Sequence, residues 1–262
     1  MVLGHRGASA DAPENTLAAF KEAVAQSADG VELDAMVCGS GEVVVCHDPN
    51  LTRLAGLNID IGETPYSRLR EIDVGSRFGV AFRGEPIPLL SQVLAALPDG
   101  LVVNVELKCD RFADGGLPRK VAAEIVESNQ RHTIVVSSFN PVELVKMRLA
   151  SPSTPLGLLF EPEGAWWLRH GTLAPLVANC SVHPEHTQCT VATVGRWHQR
   201  GYSVFTWTVD DADEIRRLCQ AGVDAIITNR PRATLERVRH LSSRGQSSPT
   251  ASRHFDSTPD SR

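Results

Sequence analysis

The stretch GVELDAMVCGSGEVVVCHD, Gly30–Asp48, decides the fold. It holds two β-rich runs, Gly30–Val37 and Glu42–Asp48, linked by Gly39-Ser40-Gly41. So short a link suits an antiparallel hairpin, because a parallel neighbour needs a crossover of a dozen residues or more. A turn centred on Ser40 sets Asp34 opposite Cys46 and Glu32 opposite Asp48, with His47 beside both carboxylates. The second run is therefore surplus to the main sheet and is expected to project above its mouth.

With that run set aside, eight β-rich runs remain: Val2–His5, Gly30–Val37, Val102–Lys108, Thr133–Phe139, Pro155–Phe160, Ala178–Pro184, Tyr202–Val209 and Val223–Asn229. Helix-like segments separate them. In Asn15–Gln26 the apolar residues Leu17, Phe20, Ala23 and Val24 recur at helical spacing, and Asp210–Gly222 carries Asp at its start and Gly at its end. Eight strands, each with a following helix, make an α/β chain of the (β/α)8 TIM-barrel type. A doubly wound sheet fits less well: no GxGxxG follows the first strand, and so many regular repeats are not needed. Residues 49–88 read as a small turn-rich insertion between the second and third barrel strands. Residues 1–240 form one catalytic domain on this reading. The tail, 241–262, carries seven serines and, from Ser242 on, no Val, Ile or Leu, so it is expected to be disordered.

Composition narrows the partners. A net charge of −5 argues against nucleic acid or an anionic membrane surface. No apolar run reaches the ~18 residues of a membrane span, so no stable membrane insertion is expected. The first apolar run starts at Val2 without the pattern of a leader. The six cysteines form no CxxC and read as free thiols of a cytoplasmic protein.

Barrel enzymes carry their chemistry at the C-terminal ends of the strands. His5 and Arg6 end the first strand, Glu32 and Asp34 lie two apart in the second, and Glu106 and Lys108 two apart in the third. Residues two apart share a strand face. Three convergent carboxylates in apolar strands are costly unless a cation or a salt-bridged network answers them. Lys108 and Arg6 offer part of that charge, and a divalent metal the rest. All-oxygen ligands favour Mg2+ or Ca2+. His5 and His47 are then more useful as proton carriers than as ligands. Such a set suits an anionic phosphorus, with one imidazole taking a proton from the nucleophile and the other giving one to the leaving alkoxide. His183 and Trp207, taken singly, read as structural residues.

The ordered set His5-Arg6-Gly7, Pro13-Glu14-Asn15-Thr16, Glu32-x-Asp34, His47-Asp48 and Glu106-x-Lys108 resembles the glycerophosphodiester phosphodiesterase family, as do SSFNP at 137–141, TWTVD at 206–210 and AIITNRP at 225–231. The resemblance spans Val2 to Arg239. It implies a TIM barrel that hydrolyses glycerophosphodiesters to sn-glycerol 3-phosphate and an alcohol with one divalent cation. By that likeness Glu32, Asp34 and Glu106 bind the metal, His5 and His47 act as acid and base, Arg6 and Lys108 contact the phosphate, and Glu14 orders the neighbouring loop. It also implies attack by the substrate's own glycerol hydroxyl, through a cyclic phosphate. Phe139 and Trp207 are candidates for an apolar wall against the glycerol or the leaving alcohol. A lysophospholipase D-like or cyclising activity on lysolipids is the alternative, hinted at by Trp166-Trp167 and Phe160. A non-catalytic phosphate-binding barrel is a third reading. Oligomeric state is not legible.

Overall fold

Gly30–Asp48 folds as the hairpin its short link demands. In the computed structural model, which describes residues 1–109, 115–128, 131–163 and 169–245, strand β2 (Gly30–Val37) pairs antiparallel with β3 (Val43–Val45) in the register Ala35↔Val45, Met36↔Val44, Val37↔Val43. That register centres the turn on residue 40, and the Cys46 backbone N–H donates to Asp34 O. The hairpin pairs beyond the level of Asp34, on the C-terminal side of the barrel, as its expected place above the mouth requires. β1 (Val2–Gly4) is only three residues long. It pairs with β2 at Gly30 and Val31 and then ends, and β3 takes up the same edge of β2 from Ala35 onward. The gap between them, alongside Glu32–Asp34, is where the chain turns through His5 and Arg6.

Six further strands complete the ring: β4 (Val102–Leu107), β5 (Thr133–Ser138), β6 (Leu156–Phe160), β7 (Ser181–Pro184), β8 (Ser203–Thr206) and β9 (Ala225–Thr228). Each pairs in parallel with the next, and β9 closes on β1. The result is a closed eight-stranded parallel barrel with helices between strands, a (β/α)8 TIM barrel. Capping follows the sequence. Thr16 accepts from the Ala19 N–H to start the helix Leu17–Ala25, and Asp211 accepts from Asp213 and Glu214 to start Ala212–Ala221, which stops at Gly222 (φ +85°).

Leu3, Val135, Phe205, Ala225 and Ile227 pack inside the barrel, while larger apolar clusters lie between barrel and helices. The insertion has a core of its own, in which Leu51, Ile61, Leu69 and Ile72 close over Met36 and Val44 of the hairpin. Its short helices are Thr52–Ala55 and Tyr66–Leu69. The last helix, Pro231–Gly245, runs past residue 240 into the segment read as a tail; residues 246–262 lie outside the described residues, as do Trp166 and Trp167. All six cysteines are unbridged. No helix among the described residues is long and apolar enough to cross a membrane.

Candidate active site

The site begins with a bend that few residues tolerate. Arg6 (φ +53°), Gly7 (φ +85°) and Asn15 (φ +57°) all adopt left-handed backbone. A Cβ on Gly7 would lie 2.5 Å from the Ala19 carbonyl carbon, so only glycine fits there. Left-handed non-glycine residues cost energy and persist where their surroundings hold them. Here the Arg6 backbone N–H donates to Glu32 Oε2 (2.9 Å), and the Asn15 N–H donates to Arg6 O (3.0 Å). The Asn15 amide donates in turn to Asp34 Oδ2 at 2.8 Å.

β2 and β4 run side by side with Glu32 opposite Asn104 and Asp34 opposite Glu106. Ligand oxygens of Glu32, Asp34 and Glu106 all fall within 4.8 Å of one another, and the three residues are nearly inaccessible to solvent. Arg6 Nε lies 3.2 Å from Asp34 Oδ2, and Lys108 Nζ lies 3.0 Å from Glu106 Oε1 and 3.7 Å from Asp34 Oδ1. Burial, together with the charges of Asp34 and Glu106, raises the Glu32 carboxyl well above the usual carboxylate range. Burial and the Asp34 charge push Glu106 up to about 7, against the pull of Lys108. The three groups are short of positive charge.

A cleft of about 110 Å³ opens beside them. His5, Arg6, Glu32, His47, Glu106, Lys108, Phe139 and Trp207 are among the residues that line it. Phe139 and Trp207 meet edge to face, ring centres 5.4 Å apart. Eight of the ten residues singled out from the sequence thus line one cleft. The other two stand just behind it: Asp34 in the carboxylate group, and Glu14, which accepts from Arg6 Nη1 at 2.9 Å.

Each imidazole is held by its Nδ1. His5 Nδ1 bonds to Asn229 Oδ1 (2.7 Å), and the Asn229 amide donates to Asp210 Oδ2 (2.6 Å). A carbonyl acceptor places the proton on Nδ1 and leaves His5 Nε2 unprotonated. Burial and the adjacent Arg6 charge lower the His5 pKa, which favours the neutral ring. His47 Nδ1 bonds to Asp48 Oδ1 at 2.6 Å.

The donor set fits a hard divalent cation: three carboxylates converge, and Asn104, opposite Glu32 in the β2–β4 register, adds an unpartnered oxygen on the wall of the same cleft. Asn104 Oδ1 is buried without a hydrogen-bond partner, on the cleft wall two residues before Glu106. An orphaned buried carbonyl costs on the order of 1–3 kcal/mol, which a bound ion or its water would recover. Sequence reasoning passed over Asn104, Asn229 and Arg53. Asn104 was findable, since it precedes Glu106 by two and so shares its face. Asn229 meets His5 from 224 residues away, and Arg53 meets Asp48 from five residues away but Glu14 from 39, so no local pattern announces either pairing across the site.

With this geometry established, comparison with known proteins is direct. Residues 5–233 match the model of the glycerophosphoryl diester phosphodiesterase family. The chain belongs to this family. A glycerophosphodiester phosphodiesterase of Caldanaerobacter subterraneus subsp. tengcongensis is 32% identical over 240 residues, covering 91% of this chain and 98% of that protein. A phosphodiesterase of Oleispira antarctica, solved in complex with the product sn-glycerol-3-phosphate, superposes with a TM-score of 0.78 at 29% identity, over 91% of this chain and 96% of the other. A human lysophospholipase D is 33% identical over 144 residues, covering 53% of this chain and 45% of that protein. Family membership makes the chain a phosphoric diester hydrolase.

Proposed function

We propose that this protein hydrolyses glycerophosphodiesters to sn-glycerol 3-phosphate and an alcohol, with one divalent cation, Mg2+ or Ca2+, held by Glu32, Asp34 and Glu106, and with His5 and His47 as the proton carriers. The observation that carries the reading is the convergence of the three carboxylates within 4.8 Å beside a cleft lined by both imidazoles. The cleft, about 110 Å³ and lined by charged groups as well as by Phe139 and Trp207, suits a short glycerol phosphodiester better than a long acyl chain. When bound, the cation supplies Lewis-acid charge to the phosphoryl group. The chain's own groups do the rest. Arg6 and Lys108 bring positive charge to the non-bridging phosphoryl oxygens. Phe139 and Trp207 form the apolar wall against the glycerol or the leaving alcohol. One imidazole takes the proton of the attacking hydroxyl on its Nε2; the other delivers a proton to the departing alkoxide, so that no strong base leaves the site. His5, neutral and with Nε2 open, is built to accept. Six unbridged thiols support a reducing, cytoplasmic setting.

The test is turnover of glycerophosphocholine, glycerophosphoethanolamine and glycerophosphoglycerol, with sn-glycerol 3-phosphate as the measured product. Activity should need Mg2+ or Ca2+, vanish with chelator and fall at least ~10²-fold in His5→Ala. Turnover indifferent to chelator would remove the cation from the reading. Activity confined to long-chain lysolipids would replace it with the lysophospholipase D-like one.

A further inference from the structure

The insertion touches the site through one side chain. Arg53 stands in the helix Thr52–Ala55, and its guanidinium spends all three nitrogens on two carboxylates from separate parts of the chain. Nε donates to Asp48 Oδ2 at 2.5 Å, while Nη1 and Nη2 donate to Glu14 Oε2 and Oε1, each at 2.7 Å. The other oxygen of Asp48 holds His47 Nδ1 at 2.6 Å. Glu14 Oε1 also holds Arg6.

We propose that Arg53 is the positioning residue for His47: by fixing Asp48 it sets the ring orientation and the tautomer of the imidazole that lines the cleft. This rests on the proton-carrying role given to His47 above. His47 and Asp48 lie beyond the end of β3 at Val45, so no strand ladder fixes them. Asp48 could rotate away from the imidazole if its second oxygen were free; Arg53 removes that freedom. The planar fork of a guanidinium holds one carboxylate through two parallel bonds while its Nε holds a second, a fixed geometry that the point charge of an ammonium does not reproduce. The Arg53 side chain is half exposed, where an ion pair adds little stability. Its value therefore lies in placement. The insertion thus supplies the brace for one of the proposed proton carriers.

A double-mutant cycle on the full chain at saturating cation tests this, with glycerophosphocholine as substrate and Arg53→Ala, His47→Ala and the double variant compared. Misplacing a reacting group by an ångström costs on the order of 10²-fold, so Arg53→Ala should lower kcat by about that factor and leave KM within ~3-fold. In the His47→Ala background the same change should cost less than ~5-fold, because the group it positions is gone and only its hold on Glu14, the partner of Arg6, is left to lose. Arg53→Lys should stay close to Arg53→Ala. If Arg53→Ala does not fold, as thermal unfolding would reveal, Arg53→Gln takes its place in the cycle. Losses that multiply across the cycle, or a raised KM with kcat intact, would overturn the inference while leaving His47 its role. Near-native turnover in His47→Ala would remove both.

Discussion

His183 gives a stability prediction that can be worked from the structure. It sits on β7 inside the barrel, fully buried. Nε2 shares a 2.8 Å hydrogen bond with Ser181 Oγ, and the ring stacks on Phe205 with centres 5.0 Å apart. Nδ1 has no partner. Gly157 on β6 leaves the space, since a Cβ there would lie 2.4 Å from His183 Nε2. Burial lowers the pKa from 6.5 to about 3. The folded imidazole thus stays neutral while the unfolded one takes up a proton below about pH 6.5. This contribution to stability is whole above that pH and drains away as pH falls toward 3, at about 1.4 kcal/mol per pH unit. Between pH 7 and pH 5 the loss comes to about 2 kcal/mol. His183→Gln keeps a group that can bond Ser181 and removes the titration. Urea unfolding of both proteins at pH 7 and pH 5 isolates the effect, because every other titrating group is shared. The native protein should lose about 2 kcal/mol more than the variant over that interval. Equal losses would show that His183 charges inside the fold or meets solvent, and the argument from burial would fail.

Two further outcomes follow from the carboxylate group. Glu32→Gln removes one of three mutually repelling buried carboxylates, so the cation-free protein should melt higher by about 2–4 °C, the shift that ~1 kcal/mol gives in a chain of this size. The same variant should lose the thermal stabilisation that Ca2+ or Mg2+ confers on the native protein; a cation response of native size would take Glu32 out of the ligand set. Asn104→Ala should weaken cation binding about tenfold in calorimetric titration of the cation-free protein. Unchanged affinity would show that the Asn104 oxygen faces something other than the ion.

The barrel was legible because its signals are local. Gly39-Ser40-Gly41 is too short for anything but a hairpin, and that reading alone reduces nine β-rich runs to the eight of a closed ring. Glu32, Asp34, Glu106 and Lys108 were legible for the same reason: spacing of two on a strand fixes a shared face, and β2 and β4 prove to be neighbours. What escaped was set by distance along the chain. Asn229 reaches His5 only because β9 closes on β1, and Arg53 reaches Glu14 only because the insertion folds back over the hairpin. His183, read as a structural residue, sits in the barrel interior; the depth of its burial depends on Gly157 of the preceding strand, β6, and no pattern within its own strand announces that.

The charge balance of the site favours the proposed divalent cation over a closed network of salt bridges. Among the described residues, Glu14, Glu32, Asp34, Asp48 and Glu106 are answered by three Lys or Arg side chains, Arg6, Arg53 and Lys108. Arg53 is committed to Glu14 and Asp48, and Arg6 divides itself between Glu14 and Asp34. Among the described residues no cationic side chain forms a salt bridge with Glu32, which is reached by the Arg6 backbone N–H alone. With every carboxylate ionised, two negative charges stay unmatched in a buried place, and burial, joined by that mutual repulsion, raises the carboxyls of Glu32 and Glu106. Protons would quiet the repulsion but would do nothing for a phosphodiester, which brings a negative charge of its own. The proposed divalent cation would supply the two missing charges where the carboxylates converge and would leave Arg6 and Lys108 at the cleft to meet the phosphate.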